Sequence, residues 1–524
     1  MNLALIKQQA INFGKDYVRQ TVRGSIDDII KDKDEIKYED AFNELDDGAR
    51  VVVEGRPGCG KTTLMHKLSQ DWERGKVLTS SLLFLVHLRR FSNRSDIKLS
   101  EILQAAAPDF TDDDLRQMCK YIEENGGRGV AFALDGLDEY SPKSSNFVFS
   151  LIERERLTNS VVIVASRPAA TQRFHKCASK HVEVLGFLEP QIREYINNYF
   201  AHCQDKAQSL LDYLRLHLNI MHMCYLPLHV AMVTHLYEVE GDDLPQTETE
   251  IYRHFTLSTL IRSYRKRCPN LNDPFCIQDF NQLSPSDKLV FDMVLKLAFN
   301  ATVKSQQVFT LDELRKHIPE KSPSCGNDES TLGLIVVDRY FVKYGLDEIY
   351  TFLHLTFQEF LAAYYIANQT EEKQKELILA HSSEVNLSEV WKFFCGIGKC
   401  SPENFKLLLD KTHSRVKKDQ TRSMLLHLHC SYESQKEWTC SQVVETCSSS
   451  IKLDKQTLNP SDMTALGYVI SHSETSLKDL VISSCHLGSE GLAALVTEIK
   501  GETITVETLR YSTLMYFVLV YVHY

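Results

Sequence analysis

Between residues 49 and 63 the chain reads ARVVVEGRPGCGKTT. An apolar run, Val51-Val52-Val53, leads straight into Gly55-Arg56-Pro57-Gly58-Cys59-Gly60-Lys61-Thr62, which fits the spacing G-x-x-x-x-G-K-[ST] and is followed by Thr63. Beyond it an amphipathic stretch carries Leu64, Met65, Leu68 and Trp72. Strand, glycine loop and helix in that order form a phosphate cradle. The glycines let successive N–H groups curl around phosphate oxygens, and the helix N-terminus adds partial positive charge. Lys61 then reaches the β and γ phosphates, and Thr62 offers a hydroxyl to magnesium.

The surroundings repeat the rhythm. ARVVVEG, LLFLVHL, GVAFALD, VVIVASR and HVEVLG are short apolar runs separated by helix-length stretches between about residue 49 and residue 186. Such runs, apolar on both faces, predict a parallel sheet with crossover helices, and right-handed crossovers bring the C-terminal strand ends to one edge. Ligands of open α/β sheets bind at that edge.

Two further elements end there. Val130 to Leu134 is an apolar strand closed by Asp135, and Asp138 and Glu139 follow. One aspartate at a strand tip suits magnesium, which keeps most of its waters. Asp138 or Glu139 could orient an attacking water, the alternative being a solvated acidic loop. Val161 to Ala165 ends in Ser166-Arg167-Pro168. Arg167 could sense or stabilise γ-phosphate charge, or lie on the surface.

At 524 residues the chain is too long for one core and predicts several modules. A formal charge of −11 without a long Lys/Arg block gives no electrostatic footprint for nucleic acid. The 14 cysteines include no C-x-x-C pair, which argues against a zinc ribbon or compact disulfide framework. The N-terminus lacks the apolar core of a secretory signal, so a cytoplasmic location is expected. The apolar tail Tyr511 to Tyr524 is shorter than the ~20 residues a membrane-spanning helix needs, so no membrane span is predicted.

After residue 190 helical periodicity takes over up to about residue 450, punctuated by proline-rich loops at 268–274, 284–287 and 319–330. His222, Cys224, His427, His429 and Cys430 cluster in sequence but lack metal-site spacing, and helical packing is the expectation. Near the end Leu477, Leu480, Ile482, Cys485 and Leu487 match the spacing of one leucine-rich repeat. An ordinary strand-helix pair is the alternative.

GRPGCGKTT, FALDGLDEY and VASRP, in this order and spacing, resemble the NACHT subgroup of signal-transducing P-loop ATPases, which includes the NOD-like receptors. Pro227, in Leu226-Pro227-Leu228, looks like the family's proline that packs against adenine. YTFLHLTFQEFLAAYY (350–365) resembles its winged-helix signature, which assigns to His354 the contact with the ADP β-phosphate. On the residues alone His354 could equally be a core or capping histidine, and Pro227 a simple helix start.

The resemblance implies an α/β P-loop NTPase, a parallel sheet with flanking helices, followed by mainly α-helical domains that include a winged helix, and ending in the start of a leucine-rich repeat solenoid. The expected boundaries are 1–45 (a short N-terminal helical segment or linker), 46–186 (the nucleotide-binding domain), 187–228 (helical domain 1), 229–370 (winged helix), 371–450 (helical domain 2), 451–500 (repeat start) and 501–524 (an atypical tail). It further implies ATP or ADP with Mg2+, slow ATP hydrolysis used as a switch, self-association, and signalling proteins of innate immunity as partners. A conventional P-loop ATPase or GTPase and a catalytically silent scaffold are the alternatives; no N-K-x-D guanine motif is present. Family members carry an N-terminal effector domain for which the segment before residue 49 has no room, so a fragment, an isoform or action through partners is expected.

Overall fold

The computed structural model describes residues 4–7, 38–43, 45–55, 58–91, 94, 97–140, 146–267, 279–318, 332–342, 345–413, 417–454, 458, 460–483, 491, 494–495, 498–499 and 506–511. All five predicted strands form: β2 (Arg50–Gly55), β3 (Leu82–His87), β4 (Val130–Asp135), β5 (Val161–Ser166) and β6 (Lys180–Gly186). They pair in parallel in the order β6-β2-β5-β4-β3. A further strand, β1 (Ala4–Lys7), adds antiparallel to β6. Within the expected N-terminal helical segment the described residues form a strand at Ala4–Lys7 and a helix beginning at Tyr38 (Tyr38–Phe42); residues 8–37 lie outside the described residues.

Alternation along the strands divides the core into two layers. Val51, Val53, Ala133 and Ile163 face Leu64, Met65 and Leu68 of α1 (Lys61–Glu73). Val52, Phe132, Leu134 and Val164 face Ile102 of α2 (Leu99–Ala106), Ile122 of α3 (Asp112–Glu124) and Leu151 of α4 (Phe147–Ile152). The far edge of the sheet is pinned by Arg50, whose guanidinium is 1% exposed. It donates to the carbonyls of Gly48, Ala49, Leu151 and Ile152 at 2.9–3.2 Å, and also to that of Ser160. Saturation with carbonyl acceptors is what lets a charge sit there, although burial still pushes its pKa down to about 10.

Beyond residue 187 the described residues are mostly helical. The elements that matter for the site are α5 (Pro227–Glu240), α6 (Glu248–Arg267), α7 (Pro285–Val303), α8 (Leu355–Ala367), α9 (Ser388–Gly396) and α10 (Lys417–Ser434). The expected boundary between 228 and 229 falls inside α5, which starts with its proline at the first turn and continues unbroken. Three antiparallel strands lie between α7 and α8: β7 (Val308–Phe309), β8 (Ile335–Val342) and β9 (Gly345–Phe352), in the order β7-β9-β8.

At the end, β10 (Ser450–Asp454), β11 (Leu477–Ser483) and β12 (Val506–Tyr511) are parallel and in register, with α11 (Pro460–His472) between the first two. Residues 506–511, expected within an atypical tail, therefore continue the array; 512–524 lie outside the described residues.

Candidate functional site

The loop after β2 is held by its glycines. Gly58 and Gly60 have φ of +76° and +99°, which residues with a Cβ rarely adopt. A Cβ on Gly55 would lie 2.5 Å from Cys59 Sγ and 2.8 Å from the Val184 carbonyl, so the crossing from β2 into the loop requires glycine. Cys59 is fully buried beneath it. Lys61 Nζ lies over the loop, donating to the Gly55 carbonyl at 2.7 Å. Thr62 and Thr63 stand exposed on the first turn of α1. Arg56 and Pro57 lie outside the described residues.

The registers place the carboxylates beside this loop. Glu54 pairs with Ser166, and Asp135 with Ala165 and His87, so β2, β5, β4 and β3 end along one line. Asp135 is buried, with its Oδ2 3.1 Å from His87 Nδ1, and His66 of α1 stacks toward His87 at a ring separation of 5.1 Å. After Asp135 the chain turns at Gly136 (φ +79°), whose N–H donates to the Ala165 carbonyl at 3.0 Å. This turn delivers Asp138 to Arg167: Nε meets Asp138 Oδ2 at 2.9 Å, and Ser166 Oγ donates to Oδ1 at 3.1 Å. Two residues expected to act separately on a phosphate are a pair, and Arg167 Nη2 also reaches Gln307 Oε1, just before β7, at 3.4 Å.

Burial, reinforced by the Asp138 charge and opposed by Arg89, pushes the Glu139 carboxyl up to about 7. The folded protein therefore keeps a proton on Glu139 at pH values where the unfolded chain, titrating near ~4.3, has released it. More protons bound in the native state means that stability falls as pH rises between those values and levels off above about 7. Relative to Glu139→Gln, the wild type should lose urea resistance from pH 5 to pH 8; parallel midpoints across that range would contradict the assignment.

A second wall comes from the C-terminal half. A Cβ on Gly58 would lie 3.5 Å from Leu228 Cβ, 3.6 Å from His354 Cε1 and 3.8 Å from His354 Nε2. Leu228 is carried there by α5, with Pro227 at its first position, and His354 caps α8. Gln358 of the same helix donates to the Gln306 carbonyl at 3.0 Å, which ties the segment carrying Gln307, the partner of Arg167, to the helix that His354 caps. Burial, helped by Arg167, His229 and Lys61, drives the His354 imidazole down to about 3, so it is neutral at physiological pH.

The phosphate loop, the strand tips that bear Asp135 and Arg167, and His354 beside Gly58 thus lie at the C-terminal edge of the sheet, while Pro227 opens the helix that brings Leu228 beside Gly58. Sequence reasoning missed His87, which only the register of β3 on β4 sets opposite Asp135; aligning the ends of LLFLVHL and GVAFALD would have put Leu88 there. The suspected His/Cys clusters are packing elements: His427 bonds Thr412 Oγ1 at 2.9 Å, His429 bonds Asp462 at 2.7 Å, and Cys224 and Cys430 are buried. Hydroxyl and carboxylate oxygens from Thr62 and Asp135 are the donor types that a hard cation takes.

A parallel sheet of this order, bearing a glycine-rich loop before a helix and a carboxylate-tipped strand beside it, defines a P-loop NTPase. The NACHT domain family matches residues 49–203, which makes this part of the chain a NACHT-type P-loop NTPase domain, and the chain is similar to proteins of the NOD-like receptor kind. It is 25% identical over 396 residues to human "NACHT, LRR and PYD domains-containing protein 12", covering 70% of this chain and 34% of that protein. To rat "NACHT, LRR and PYD domains-containing protein 3" it is 25% identical over 366 residues, or 64% and 32%. To "Protein NLRC5" of Ictalurus punctatus it is 23% identical over 520 residues, or 85% and 28%. The chain spans about a third of the length of these relatives. Among the described residues no helix is long and apolar enough to cross a membrane.

Proposed function

We propose that this chain is an adenine-nucleotide switch of innate immune signalling, closed around ADP and opened by exchange for ATP to self-associate in the cytoplasm. The observation that carries this reading is His354, delivered by α8 from the far half of the chain onto Gly58 of the phosphate loop. A nucleotide bound there is touched from two units at once, and its phosphates then bias how those units sit. Such a bias equals the affinity difference between the two arrangements, about 5.5 kcal/mol to move a population from 1:99 to 99:1.

In this reading Gly55, Gly58, Cys59, Gly60, Lys61, Thr62 and Thr63 hold the phosphates, with Arg56 and Pro57 in the same loop. Pro227 borders the base. Thr62 and Asp135 would hold Mg2+, which when bound offsets phosphate charge. His87 keeps Asp135 oriented through Nδ1. Asp138 is tied to Arg167, so hydrolysis, with Glu139 as the water-orienting carboxyl, is slow while that pair persists. The β7–β9 sheet with α7 and α8 supports a winged helix, and the in-register β10–β12 strands support the start of a leucine-rich repeat array.

Purified protein is expected to release an adenine nucleotide on denaturation. Its size-exclusion mass should be monomeric with ADP and larger with a non-hydrolysable ATP analogue. Empty wild-type protein, or one mass under both conditions, would sink the switch.

A further inference from the structure

The His354 ring is itself held by a chain of two hydroxyls that begins in a different helix. Its Nδ1 lies 2.9 Å from Thr356 Oγ1 and 3.3 Å from the Thr356 backbone nitrogen. A peptide N–H can only donate, so Nδ1 accepts, and a neutral ring then carries its proton on Nε2, on the edge that faces Gly58. Thr356 Oγ1 in turn accepts the Tyr252 O–H at 2.5 Å, which leaves the threonine's own hydrogen to point at Nδ1. Tyr252, in α6, is fully buried. Its ring is wedged between Phe357 and Phe393 at centroid separations of 5.0 and 5.1 Å, and its oxygen lies 3.0 Å from His229 Nε2 of α5.

We infer that Thr356 and Tyr252 are positioning residues for the nucleotide site, fixing His354 in the tautomer that presents an uncharged Nε2–H donor to the phosphates. This rests on the reading of His354 as phosphate-facing. The alternative tautomer would turn a lone pair toward phosphate oxygens, which repels rather than binds them. A donor without positive charge also suits a site that already holds Lys61 and must release its ligand on exchange. Because the phenol comes from α6, the donor state of the nucleotide-facing ring depends on how α6 packs against α8.

The test uses the full chain labelled with ¹⁵N-histidine, ADP titration calorimetry, and four variants. Wild-type His354 should appear as a single Nε2–H tautomer in long-range proton–nitrogen spectra. Thr356→Val, which keeps the shape, removes the hydroxyl and leaves Nδ1 only the longer donation from the peptide N–H, should admit a fraction of the other tautomer and weaken ADP about tenfold. Tyr252→Phe, which keeps the stacked ring, should do the same to a smaller extent, about threefold. Thr356→Ser restores the hydroxyl and should match the wild type, an outcome that a purely structural role for the side chain's bulk would not produce. His354→Ala controls the reading beneath. If it binds ADP weakly while Thr356→Val and Tyr252→Phe keep wild-type affinity and tautomer, the positioning role is overturned alone. If His354→Ala binds ADP as the wild type does, the phosphate-facing reading fails and the positioning role falls with it. Thr356→Val and Tyr252→Phe each suffice if the other does not fold.

Discussion

Lys61→Ala protein is expected to purify without nucleotide and to bind added ADP at least about 100-fold more weakly than the wild type, a loss of roughly 3 kcal/mol. The magnitude follows from what the ammonium can do at that position. It lies over the loop at 2.7 Å from the Gly55 carbonyl, next to the left-handed Gly58 and Gly60, and in the proposed site it is the charge that meets the phosphates. Charge-assisted hydrogen bonds to phosphate are the strong members of their class, and alanine removes them. A thermal readout checks the same point independently. Saturating ADP at about 1,000 times the wild-type Kd stabilises the folded state by about 4 kcal/mol, and the variant should show little of that shift. Equal ADP-induced stabilisation of both proteins would remove Lys61 from the site.

The second large effect lies away from the nucleotide. Lys392 of α9 is 12% exposed and sits among three carboxylates, 2.9 Å from Glu248 Oε2 and 2.5 Å from Glu389 Oε2, with Glu433 of α10 close enough to raise its pKa further. Burial opposes ionisation of Glu248, but the ammonium outweighs it and keeps that carboxyl below its ordinary range. Glu433 meanwhile accepts from the Thr249 N–H at 2.9 Å and the Thr249 hydroxyl at 2.6 Å, which ties α10 to the start of α6. Removing the one cation strands the carboxylates, and breaking a buried pair by deleting one partner costs about 3–5 kcal/mol. Lys392→Met should therefore lower the unfolding free energy by that amount and move the denaturant midpoint down accordingly, followed through the fluorescence of the neighbouring Trp391, which is 1% exposed. Adding Glu248→Gln should recover part of the loss. A midpoint that Lys392→Met leaves in place would show the cluster to be solvated.

The half of the site that was legible in sequence is the half built by strands. Val51–Val53, Val130–Leu134 and Val161–Ala165 are apolar on both faces, so their identity, their direction and the polar residue ending each could be read without knowing the neighbours. That located Lys61, Asp135 and Arg167 together. What could not be read is the choice of polar partner, because it is settled by register and packing. Asp138 binds Arg167 only because Gly136 turns the chain by a left-handed residue, and Tyr252 meets Thr356 only because α6 lies against α8. His354 came from resemblance; periodicity alone made it one more residue of an apolar helix. The strands at Ala4–Lys7 and Val506–Tyr511 escaped notice because each is a short segment whose state depends on its pairing with β6 or β11 rather than on its own pattern.

The strand order of the sheet has a consequence for how the protein is made. β2, which carries the phosphate loop, pairs with β5 (Val161–Ser166) and β6 (Lys180–Gly186), and β1 pairs only with β6. A ribosome delivering the chain from its N-terminus exposes Val51-Val52-Val53 long before either neighbour of that strand has emerged. Non-local parallel pairing is slow to form even in a complete chain. The nascent domain therefore carries this apolar segment without its sheet neighbours until synthesis has passed residue 186, a window in which an unpaired apolar strand is open to aggregation.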